Sequence, residues 1–221
     1  MESSFISQPQ KKYFLCDLQL INIYFALRMI VQSDKQDKKE AILRSTLELI
    51  KDNGFHGTPI SLITKHAGVA AGTIYHYFPS KDAIILELHA LIREEIAAAM
   101  YLDNTDYSDF KKHFFDGWIN LCRYFINNPA SLFFIEQFNS SPYAKDVAIK
   151  DKKNSLNKFN QFFQFGIDNG YLKKLEYMLI ASAVFGCIIA TAKYHVSGRF
   201  GFKDSDLCKI ATILWDGIKA Q

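Results

Sequence analysis

Patterns that would hold a metal or a disulfide are missing from this chain. Its four cysteines, Cys16, Cys122, Cys187 and Cys208, stand far apart, with no Cys-x-x-Cys and no nearby Cys/His pairing. That spacing provides neither a zinc site nor a disulfide framework, and predicts reduced thiols in a cytoplasmic protein. The six histidines lack the i, i+4 spacing with a carboxylate that a helical metal site shows, so no metal and no cofactor is expected. There is no Gly-rich phosphate loop and no Gly-x-Ser-x-Gly elbow. The scattered His113, Asp116 and His195 make no acid/base pair, which argues against an enzyme.

The apolar run near the N-terminus is too short for a membrane span. Leu18 to Val31, LQLINIYFALRMIV, is interrupted by Arg28 and falls short of the roughly 20 residues that span a bilayer. No small-residue cleavage site follows Ala26, so a secretory leader is not indicated and no membrane partner is expected. Residues 1–36 read as an extension, either an extra docking helix or a stretch upstream of a translation start at Met29. The net charge of +3 permits nucleic-acid binding without arguing for it.

Internal repeats, low-complexity linkers and alternating apolar–polar runs are absent, and what remains is helical periodicity. Asp37 to Asn53 places Ala41, Ile42, Ser45, Thr46, Leu49 and Ile50 on one face, and Gly54 is a stop signal. Thr58-Pro59 predicts a cap and first turn for a short helix that ends near Ala67 before Gly68. A second short helix spans about Ala70 to Tyr77, and Ser80 caps a long one from Lys81 to about Tyr101. Five more are expected over 107–127, 129–138, 143–168, 175–197 and 205–219. The expectation is an all-α protein of nine core helices: an N-terminal helix-turn-helix bundle over 37–80 and a larger helical domain over 81–221.

Two short helices about a glycine turn form the unit whose second helix enters the DNA major groove. Ile63 and Ala67 before Gly68, with Val69, Ile74 and Tyr77 after it, would fill the angle between them. From Asn53 to Lys81 there is no Asp or Glu, although the chain holds 23 acids, and this lowers repulsion from phosphate. Ala71 and Gly72 keep the outer surface low, Thr73 suits a base edge or thymine methyl, and Tyr75 and His76 reach the groove wall. Lys65 and His66 are weaker candidates, more often just solvated.

The run GVAAGTIYHYFPSK, within about Lys38 to Leu91, resembles the DNA-binding region of TetR-type bacterial transcriptional regulators. Pro59, Thr64 and the N-terminal extension depart from the family's usual pattern. The resemblance implies phosphate contacts by Thr58 and Lys81 and a homodimer on a near-palindromic double-stranded operator. It further implies repression relieved when a small effector shifts the Lys81–Tyr101 helix. For the larger domain, the aromatic-rich segment from Asp106 to Asn169 reads either as a Phe-rich core or, by resemblance, as a cavity for a hydrophobic or aromatic ligand. Trp118, Cys122, Phe134 and Phe138 are its candidate lining. Small residues among apolar ones in the last two helices suggest a close-packed interface, with Gly186, Ile189, Ala190, Leu214 and Trp215 as its candidates. The competing reading is a helical interaction module or small-molecule binder that no longer binds DNA.

Overall fold

The computed structural model describes residues 34–100, 107–151 and 158–220. The extension and the Met29 start lie outside the described residues. Ten helices are present among those described: α1 (Asp34–Asn53), α2 (Ile60–Ala67), α3 (Ala71–Tyr77), α4 (Lys81–Ala99) and α5 (Phe110–Asn127), then α6 (Pro129–Asn139), α7 (Pro142–Asp151), α8 (Lys158–Asp168), α9 (Tyr177–Val196) and α10 (Asp204–Ile218). The span expected as one helix over 143–168 is described as two, α7 and α8, with 152–157 outside the described set. Extended pairing among the described residues is limited to one isolated bridge, Leu172 with Lys219.

The termini follow local chemistry. Gly54 takes a φ of 69° and stops α1 where the sequence predicts. Ser80 Oγ accepts from the Ala83 amide at 3.2 Å and caps α4. The expected Thr58 cap is corrected: Pro59 occupies the capping position of α2 and no side chain caps it. Thr58 is fully buried instead, its hydroxyl donating to the Gly54 carbonyl at 2.8 Å. A buried hydroxyl with an internal acceptor gains more there than at an exposed helix end.

One apolar core runs through the molecule. Ile42 and Ile50 of α1 meet Ile63 of α2, Ile74 of α3 and the Ile84–Ile85–Leu88–Ile92 stripe of α4, all at or below 1% exposure. Each such burial removes about 1.5–3 kcal/mol worth of apolar surface from water. The larger half is built on α5, which packs against α4, α6, α9 and α10. Phe110 anchors it, stacked on Phe162 at 4.6 Å and on Tyr171 at 5.0 Å. The three-helix head is tied to this half directly, because α1 packs on α6 as well as on α4.

Candidate nucleic-acid interface

The turn between α2 and α3 depends on one backbone conformation. Gly68 has a φ of 67°, and its amide donates to the Thr64 carbonyl. The Val69 amide reaches the same carbonyl at 3.1 Å. A left-handed residue here costs nothing for glycine and strains any side chain. Thr64 fits the crowded inner angle by donating its hydroxyl to Ser61 O at 2.7 Å. Ile63 and Ile74, both at 0% exposure, fill the angle and fix the two helices against each other.

This packing turns the rest of α3 outward. Ala70, Ala71, Gly72 and His76 are exposed, Thr73 is half-buried, and Tyr75 is 56% exposed. His76 lies edge-on to Tyr77 at 5.1 Å. Lys65 and His66, in the last turn of α2, are exposed on the neighbouring surface. The surface so assembled has no acidic side chain from α2 or α3, a smooth helix start and one projecting phenol.

Two residues assigned phosphate contacts are held otherwise. Thr58 is withdrawn into the core, as described above. The Lys81 ammonium donates to the Phe55 carbonyl and is half-buried. That carbonyl offsets the cost of a cation in the first turn of α4, which sequence reasoning assigned to a phosphate. Both arrangements have one cause: the 54–58 loop folds back and supplies the acceptors. Sequence reasoning passed over Phe55 itself. An aromatic flanked by Gly54 and, two residues on, by Gly57 in a supposed surface loop was the available signal.

The remaining candidates divide. Trp118, Cys122 and Phe134 are at 0% exposure and Phe138 at 1%, all within the filled core, and burial pushes the Cys122 thiol well up. Two clefts open at the surface, and none of these four residues lines either. One lies between α5 and α10, lined by Lys111, Phe115, Thr212 and Trp215. The other lies between α6 and α9, lined by Ile135, Asn139, Phe185, Gly186 and Ile189. Of the interface candidates, Gly186 and Ala190 are exposed and Ile189 and Leu214 half-buried. Trp215 is corrected: it is 7% exposed and packs on Phe114 at 5.4 Å within its own core. Ile213, missed in the sequence, projects instead at 71% exposure, and on α9 Met178 at 49% and Leu179 at 59% are exposed as well.

An exposed, acid-free reading helix behind a left-handed glycine turn, mounted on a helical body, defines a helix-turn-helix regulator. The chain belongs to the TetR family: "Bacterial regulatory proteins, tetR family" matches residues 42–88, and "Tetracyclin repressor-like, C-terminal domain" matches 110–219. An HTH-type transcriptional regulator of Haemophilus influenzae is 30% identical over 120 residues, covering 54% of this chain and 64% of its own length. The matched region thus spans less than two thirds of that relative. A TetR family transcription regulator from Marinobacter aquaeolei superposes with a TM-score of 0.70 at 23% identity, over 84% of this chain and 97% of the other. The Bacillus subtilis regulator FadR, solved with stearoyl-CoA, superposes with a TM-score of 0.61 at 23% identity, over 80% and 95%.

Proposed function

We propose that this chain is a ligand-responsive, DNA-binding transcriptional regulator, a homodimeric repressor released from a near-palindromic operator by a hydrophobic small molecule. The observation that carries the reading is the outer face of α3. It presents Ala71, Gly72 and Thr73 where a solvated helix would carry charge, followed by the projecting Tyr75. Side chains this short let the backbone approach base edges, and the phenol reaches the phosphate wall. His76 and Lys65 add positioning contacts at the rim. An interaction module freed from DNA would have no use for an uncharged helix start opposite a left-handed turn. The regulators among the relatives likewise favour a binding protein over an enzyme.

The apolar interior supports a hydrophobic effector. Trp118, Cys122, Phe134 and Phe138 are apolar and buried together in the larger half, and helices that parted around them would offer few polar atoms. An acyl chain is the first probe to try, since the FadR structure holds stearoyl-CoA. The test is selection of duplexes from random DNA with the full chain, followed by salt-titrated binding of the winners. Tight, salt-sensitive and sequence-specific binding is expected. Tyr75→Ala is expected to weaken it about tenfold with no loss of folding stability, because the ring is mostly exposed. Equal affinity for selected and scrambled duplexes would sink the reading.

A further inference from the structure

We propose that Phe55 is the positioning residue through which the helices of the larger domain set the reading head, rather than α4 acting alone; this rests on the regulator reading above. Phe55 lies in the loop that joins α1 to α2, yet its ring is turned inward. It meets Phe134 of α6 edge-on at 5.6 Å and Tyr143 of α7 edge-on at 5.9 Å. Behind it the rings continue. Phe134 stacks on Phe138 at 5.9 Å, and Phe138 lies flat on His89 of α4 at 3.8 Å. Phe134 and Phe138 are the two lining candidates on α6, so the chain of rings begins where an effector would press.

The loop has little slack with which to absorb a push. Gln137 of α6 donates to the Ile50 carbonyl at 3.2 Å. Gly54 sits so close to that amide that a Cβ added there would lie 3.2 Å from Gln137 Oε1. Thr58, one residue before the cap of α2, is bonded to the Gly54 carbonyl at 2.8 Å. Lys81, the first residue of α4, is bonded to the Phe55 carbonyl. Tyr143 donates to Asp82 Oδ1 at 2.6 Å and so closes the circuit onto the same turn of α4. The loop therefore touches α6, α7, the entry to α2 and the start of α4 at once. Close-packed rings move as a unit rather than deform, so a displacement of α6 is passed to α2.

A second connection exists and makes the proposal testable. Lys39 of α1 pairs with Glu87 of α4 and lies over the Phe78 ring at 5.7 Å, a tie that does not involve Phe55. If α4 carried the signal alone, this tie would suffice and Phe55 would be ordinary packing.

Coupling between two sites is reciprocal, so DNA bound at the head must be felt at α6. The probe is a duplex selected from random DNA, and the readout is amide hydrogen exchange of the full chain with and without it. Wild type is expected to change exchange in both α3 and α6–α7. Phe55→Ala is expected to keep the α3 response and DNA affinity within about threefold while losing most of the α6–α7 response. Phe55→Leu keeps apolar bulk without the flat ring and guards against a misfolded alanine variant; it should also lose most of that response, and Phe55→Tyr should restore it. A wild type that binds the duplex with α6–α7 unaffected overturns the inference alone, as does an undiminished response in the leucine variant. A wild type that selects no duplex overturns the regulator reading and the inference with it.

Discussion

Glycine at two positions of the helix-turn-helix does opposite work, and substitution should separate the two roles. Gly68 has open space around it but a φ of 67°, so its constraint is conformational and not steric. Gly68→Ala is expected to lower stability by about 1–2 kcal/mol, the strain of a left-handed alanine, seen as a lower melting temperature. Gly72 also has open space but lies inside α3 with no left-handed backbone. The same substitution there should stabilise the helix by about 0.5–1 kcal/mol. Its methyl group nevertheless stands on the proposed reading face, and DNA affinity should fall. Melting curves and binding curves moving in opposite directions at Gly72, and together at Gly68, would establish the division. Residues of this kind were legible because the chemistry is local: Gly68, Gly54 and Ser80 act within a turn of themselves. The bonds of Thr58 and Lys81 to the carbonyls of Gly54 and Phe55 were harder to read, because they depend on the fold-back of the 54–58 loop, whose one signal was Phe55 between two glycines.

At the scale of elements, helices were readable from apolar spacing, and errors arose in deciding which way a face points. In α10 the inward stripe is Leu207, Ala211, Trp215 and Ile218, at steps of four, four and three. That periodicity alone leaves Ile213 on the opposite side, yet the expected interface included Trp215 and not Ile213. The stripe makes a measurable contrast. Trp215→Ala empties a site packed by Phe110, Phe114 and Phe115 and is expected to cost about 3–5 kcal/mol in urea unfolding. Ile213→Ala removes a side chain 71% exposed and should change monomer stability by no more than about 0.5 kcal/mol. The aromatic segment from 107 to 165 was ambiguous for a different reason. A filled core and a collapsed ligand cavity demand the same residues, and only a bound ligand distinguishes them. The family resemblance was carried by one short run, the one proposed to meet DNA, whereas the larger half needs only apolar volume.

For the whole molecule the question is what covers α9. Its 20 residues are long and apolar enough to cross a membrane, and only 33% of the most apolar window is buried. Its outward face, however, carries Ser182, Ala183, Gly186 and Ala190, small side chains at helical spacing, flanked by the larger Met178, Leu179 and Tyr194. Lipid gains nothing from small residues, whereas a facing helix does, because its backbone can come close. A second copy meeting this face through α9 and α10 would also double the reading heads and set them about one turn of DNA apart, or a multiple of it. Ala183→Glu tests both halves of that argument at once. The position is exposed in the single chain, so folding should be unaffected. Two carboxylates facing each other across the two-fold should convert the dimer to monomer in sedimentation. Operator affinity should then fall by about 100-fold or more, because the second half-site no longer binds from a tethered head. A variant that stays dimeric would move the interface elsewhere. One that becomes monomeric yet holds the operator as tightly would mean that a single head suffices, and the near-palindrome would lose its physical reason.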